Sequence, residues 1–146
     1  MTRKLILMLA LSFISGITFA ETKETERLAT ITKDYAKCAD VALGNFPSDE
    51  EAQKAIKTFY KAMIVNVEKI VAVESESENE TTAFFLEVMG KNVFIGYLLK
   101  GFSEVDDQYK TEKKQLKEQF NYDWRQVNET LWKDKGCNAI HLSLSK

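Results

Sequence analysis

Apolar residues recur at intervals of three and four along almost the whole of this chain, the spacing that gathers them on one face of an α-helix. Leu28, Ile31, Tyr35, Cys38, Ala39 and Ala42 form the first such stripe, followed by Gly44 as a stop, and predict a helix over about 23–43. The stretch GNFPSDEEAQ holds the only proline, and places Ser48 as an N-cap with Glu51 three residues on as its capping-box partner. Ala52, Ile56, Phe59, Met63, Val67 and Ile70 continue the pattern, so a second helix is expected over about 49–73.

The periodicity then stops at ESESENET, where Glu74, Glu76, Glu78 and Glu80 fall within seven residues and no apolar residue intervenes. Such a run reads as a solvated acidic loop, with Asn79 or Thr81 available to cap the next helix. It lacks the spaced Asp and Asn ligands and the turning glycine of a hand-type calcium loop. A third helix is expected over about 82–102, where Phe84, Phe85, Val88, Val93, Ile95, Leu98, Leu99 and Phe102 give the most apolar surface in the chain. That richness predicts the central helix of the fold. Gly90, Gly96 and Gly101 lie within it, each costing up to about 1 kcal/mol relative to alanine in a helix interior, so they imply close helix contact, a kink, or an end at Gly101.

The segment SEVDDQYKTEKKQLKEQF is highly charged, yet Tyr109, Leu116 and Phe120 keep an apolar seam that Trp124, Val127 and Leu131 extend as far as Gly136. Lys114 and Glu118 are spaced for an i,i+4 pair. The cluster Lys113, Lys114 and Lys117 is read as a solvated face rather than an anion site. The fold class is therefore all-α: a small bundle of four to five helices.

The first 20 residues change the picture of where this bundle resides. Arg3 and Lys4 precede an apolar run from Leu5 to about Ile14, and Thr18, Phe19 and Ala20 close it, the order of a secretory signal peptide. Cleavage after Ala20 would start the mature chain at Glu21 and leave one helical domain over 21–146. A membrane anchor needs roughly 20 mainly apolar residues, whereas Ser12, Ser15 and Gly16 interrupt this run. No membrane span is expected after cleavage, and a periplasmic or secreted location follows. Loss of Arg3 and Lys4 would take the formal charge from −2 to −4, a mild acidic excess that gives no surface for nucleic acid.

Export with two cysteines favours a disulfide, and Cys38 to Cys137 is the only pairing available. The bridge would enclose about 100 residues, for which the chain-entropy relation allows about 4 to 5 kcal/mol. It also constrains topology. Bridged Cα atoms lie within about 7 Å, but four straight up-and-down helices would put Cys38 and Cys137 at opposite ends. A break near FNYDWRQ, with Asp123 capping a separate helix over about 124–135, resolves the conflict. The rival is one tilted helix from 104 to 135.

The same residues bound the chemistry. His141 is the only histidine, so with two cysteines the chain has no tetrahedral zinc spacing. A bridged cysteine provides no thiolate for a Cys–His pair. No CxxCH haem attachment is present, and His–Met haem ligation would need Met63 or Met89 to face His141. His141 is expected to be a surface or packing residue of the tail. Carboxylate chemistry would rest on Glu87, Glu104, Asp106 and Asp107, but Glu87 is spaced to pair with Lys91, and the two aspartates fit a helix end or start. No catalytic residue, cofactor or metal ligand is assigned.

What remains is a non-enzymatic binding protein acting on an unidentified extracytoplasmic protein, of the inhibitor, immunity or accessory type. The loop at Glu74, Glu76, Glu78 and Glu80 beside an apolar helix would steer a basic partner. A carrier of a small apolar ligand is the first alternative, drawn from Phe84, Phe85, Phe94, Tyr97, Phe102, Trp124 and Trp132. A carboxylate-based hydrolase is the second.

Overall fold

Every regular element in the described residues is an α-helix. The structure, a computed structural model, describes residues 23–76, 80–104 and 107–146. The expected signal segment and its Glu21 junction lie outside the described residues, as do Glu78, Asn79 and Asp106. The helices are α1 (Lys23–Asp40), α2 (Asp49–Glu76), α3 (Glu80–Met89), α4 (Lys91–Ser103), α5 (Asp107–Gln119), α6 (Trp124–Asp134) and α7 (Cys137–Leu144).

α1 and α2 run antiparallel, since Thr25 near the start of α1 meets Glu74 near the end of α2, while Cys38 and Ala39 share a core with Ala55. α1 ends at Asp40, three residues earlier than its stripe suggests. Val41 and Ala42 continue as fully buried loop, and Gly44 turns the chain at φ 87°. Ser48 begins α2 as expected, its hydroxyl accepting from the Glu51 amide at 3.2 Å.

The apolar residues divide into two clusters along this pair. At one end Cys38, Val41, Ala42, Ala55, Phe59, Tyr109, Val127, Leu131, Trp132 and Cys137 pack together. At the other, Leu28, Ala36, Met63, Val67, Ile70 and Val71 pack against Phe94, Ile95, Leu98 and Phe102 of α4. α2 contributes to both clusters and is the central helix of the fold.

That corrects the expectation of a single central helix over 82–102. Gly90 adopts φ 75° and ψ 155°, a conformation in which a Cβ is strained, and the chain breaks there into α3 and α4. The break also leaves Glu87 and Lys91 without the i,i+4 ion pair that an unbroken helix would give, and none forms between them. Gly101 does not end a helix: α4 runs to Ser103.

The expected break near FNYDWRQ is present. α5 stops at Gln119, Asn121 takes φ 53°, and Asp123 caps α6 through a reciprocal box in which its carboxylate accepts from the Gln126 amide at 2.8 Å. The Gln126 side chain in turn accepts from the Asp123 amide at 2.9 Å. The single long helix is thereby excluded. Past Gly136, which takes φ 64°, the tail forms a further helix, α7. Cys137 at its start meets Cys38 with a Cα separation of 5.5 Å, closing the predicted disulfide.

Candidate interaction surface

The only histidine packs against two aromatic rings. His141 lies on α7 and packs edge-on to Phe46, with centroids 5.3 Å apart, and against Phe59 at 5.8 Å. Met63 is fully buried in the opposite cluster, and no group of three His, Cys, Asp or Glu side chains among the described residues could hold a metal ion. The candidate carboxylates are likewise dispersed. Glu104 lies 4.0 Å from Lys100, Asp107 opens α5 and pairs with Lys110 at 3.2 Å, and Glu87 is on the exposed side of α3.

The lysine cluster is less uniform than a solvated face. Lys114 reaches Glu118 at 3.8 Å, the expected surface pair. Lys113 instead turns back to α1, donating to Asp40 Oδ2 at 2.7 Å. The buried Tyr109 donates its hydroxyl to the same carboxylate oxygen at 3.2 Å, and burial, followed by the negative charge of Asp40, pushes the phenol well above its ordinary pKa. Lys135 on α6's C-terminal end donates to Glu112 at 2.9 and 3.0 Å. Polar contacts thus hold the hydrophilic α5 against the disulfide-linked end. Lys117 lies 4.3 Å from the Trp124 ring centroid, a cation–π contact.

Glu74 is the clearest departure from the expected acidic loop. α2 continues to Glu76, and Glu74 lies on its inner face with 0% exposure, accepting from the Thr25 hydroxyl at 3.2 Å. Three-residue spacing from Val71, itself four from Val67, puts it on the buried stripe, so helix geometry rather than charge decides its placement. It cannot face a partner. Glu76 and Glu80 are exposed at the end of α2 and the start of α3.

The aromatic residues considered as a ligand pocket also separate. Phe94 and Phe102 are buried in the cluster beside α4, Trp132 is buried between Phe46 and Phe59 at the other end, and Trp124 is exposed. An open notch of about 280 Å³ is lined by Tyr122, Gln126, Glu129, Thr130, Lys133 and Asp134, and contains none of them.

What the sequence reading missed is the outer face of α3 and α4. Phe84 is 53% exposed, Val88 63%, Val93 61% and Tyr97 39%. Phe84 and Val88 are one turn apart on α3, and Val93 and Tyr97 one turn apart on α4. Phe85 joins the two pairs: its ring meets Phe84 edge-on at 5.6 Å and stacks on Tyr97 at 6.5 Å and on Phe94 at 5.6 Å. Phe84 and Tyr97 are thus joined through Phe85, and Phe84, Val88, Val93 and Tyr97 all remain exposed. The signal for this exposure was the density of apolar residues over 84–102, too many for one side of a helix.

No protein-family model matches the chain, and no curated protein or solved structure is significantly similar to it. No single helix among the described residues is long and apolar enough to cross a membrane.

Proposed function

We propose that this chain is a non-enzymatic binding protein that acts on another protein outside the cytoplasm, in the periplasm or as a secreted molecule. The Cys38–Cys137 bridge belongs to an oxidising, extracytoplasmic compartment. The observation that carries the reading is the exposed face of Phe84, Val88, Val93 and Tyr97. Contiguous apolar surface that the fold does not use is the mark of an interaction site, and aromatic anchors surrounded by polar residues concentrate binding energy in protein interfaces. Inhibitor, immunity and accessory roles all use such a surface. An apolar-ligand carrier has less support, because the aromatic residues it would need are divided between two cores and the surface. A carboxylate hydrolase has less again, because Glu104 and Asp107 sit in surface ion pairs.

The reading is tested by capture from an extracytoplasmic fraction with the oxidised protein and with its Val88→Asp and Tyr97→Asp variants, followed by mass spectrometry. A discrete protein retained by the parent and lost by both variants, at unchanged melting temperature, is the expected result. Retention by all three alike, or purification with a stoichiometric lipid, haem or metal, would overturn it.

A further inference from the structure

The charges around the apolar face specify the chemistry of what covers it. Glu80 and Glu87 are seven residues apart and so lie on one stripe of α3. On the helical wheel that stripe borders Phe84 and Val88 on the side away from Phe85, which points to α4 and stacks there. Glu76, exposed at the end of α2, is four residues before Glu80 in the chain, so a third carboxylate lies within about 15 Å of the start of α3. All three are exposed and none has a basic group within ion-pair distance among the described residues. Elsewhere carboxylates at Glu24, Asp40, Glu112 and Glu118 do have one. On the α4 side Glu104 faces Lys100 at 4.0 Å and largely cancels it. Lys91, exposed at the Gly90 elbow, offsets one of these carboxylates and leaves a net acidic balance.

Resting on the binding role proposed above, we infer that the α3–α4 face recognises a basic amphipathic helix of its partner, whose apolar stripe packs on Phe84, Val88, Val93 and Tyr97 while its lysines or arginines meet Glu76, Glu80 and Glu87. The i,i+4 pairs on α3 and α4 form two short ridges, the complement of an apolar stripe at helical spacing. Acidic rims raise the association rate of a cationic partner and repel an anionic one. A membrane surface rich in anionic lipid is thus disfavoured. So is a second copy of this chain, because an isologous contact would bring the acidic edges of both copies into one interface.

The test uses the oxidised full chain and fluorescence anisotropy with a labelled leucine–lysine amphipathic peptide of about 18 residues, some five helical turns, and with a leucine–glutamate peptide of the same apolar stripe. The leucine–lysine peptide should bind, more weakly as salt rises. The E76K/E80K/E87K variant should weaken it by about tenfold or more at low salt, whereas D34K/E118K/D134K, with the same net charge, should change it less than about threefold. Val88→Asp should weaken it comparably to the rim reversal. The inference falls if the leucine–glutamate peptide binds as well, if the two triple variants lose affinity equally, or if anionic phosphatidylglycerol vesicles bind the parent and compete the peptide away. Sedimentation that shows a dimer broken by Val88→Asp would also overturn it. The binding role itself fails separately, when Val88→Asp leaves capture of the native partner intact. Capture lost with Val88→Asp, but with both triple reversals alike, would keep the face and reject the basic helix.

Discussion

The two ends of the α1–α2 pair are built from similar numbers of apolar residues and finished in opposite ways. At the disulfide end, loops and helices close over the cluster: Val41, Ala42, Val127, Leu131 and Cys137 are fully buried, and the polar α5 is fastened by Tyr109 and Lys113 to Asp40 and by Glu112 to Lys135. At the other end, α4 covers the core with Phe94, Ile95, Leu98 and Phe102 but leaves Val93 and Tyr97 outside. The core there also buries the carboxyl group of Glu74 with Thr25, while each end has one buried polar atom without a hydrogen-bond partner among the described residues, Asn66 Nδ2 here and Asn128 Oδ1 at the disulfide end. A core of the first kind is organised for stability. The second buries a carboxyl group and leaves Phe84, Val88, Val93 and Tyr97 outside, whereas Trp124, exposed at the disulfide end, is met by Lys117; a surface retained for something else comes at the expense of the fold's own packing.

The comparison is broken most strongly at the disulfide end. The double variant Cys38→Ala/Cys137→Ala should lose on the order of 2 to 5 kcal/mol in urea unfolding relative to the oxidised parent. Reduction of the parent should move the midpoint in the same direction, and a midpoint insensitive to reductant would remove the bridge from the account. At the other end, Thr25→Val takes a hydroxyl from the buried Glu74 carboxylate and should cost about 1 to 3 kcal/mol. A neutral outcome would mean that Glu74 is satisfied without Thr25. Asp123→Ala deletes the side-chain half of the α6 capping box, leaving the backbone amide of residue 123 to donate to Gln126, and should cost about 1 kcal/mol, read from the same unfolding curves.

Tyr109 adds a pH signature confined to the disulfide end. Its folded pKa lies above the unfolded value near 10, so the folded state binds the phenolic proton more tightly and stability should be lost as pH rises beyond about 10. Tyr109→Phe should flatten that alkaline decline while leaving a smaller, pH-independent loss of its bond to Asp40. An alkaline slope identical in parent and variant would contradict the buried geometry. The smallest effect is expected on the outer face. Phe84→Ser/Val88→Ser/Val93→Ser should shift unfolding by less than about 1 kcal/mol, since each site is over half exposed. A loss of several kcal/mol would show the face to be core.

Much of the stable end was legible in the sequence. Cys38 and Cys137 followed from count and compartment, and the geometric conflict they raised located the break capped by Asp123. The other end was not, for three physical reasons. Charge suggested a loop at Glu74, yet its register with Val67 and Val71 carried the helix onward and turned the carboxylate inward. Apolar density over 84–102 suggested a central helix, but Gly90 at positive φ divided it and left two outer faces uncovered. Periodicity identifies which residues share a face; it does not say whether the fold has anything to place against that face. In the tail, Cys137, Ile140 and Leu144 carry helical spacing, but a glycine such as Gly136 signals a helix end in sequence as strongly as the new start it makes here at φ 64°.

The claim that one end holds the fold and the other binds is tested most directly by site-specific photo-cross-linking in cells that produce the protein, with benzoylphenylalanine placed either at Tyr97 or at Phe120. Both side chains are exposed aromatics, one on the α3–α4 face and the other beside the α5–α6 turn, where Phe120 is 58% exposed. The account predicts a discrete cross-linked protein from position 97 and none from position 120. A partner trapped from position 120 alone, or from neither, would contradict it.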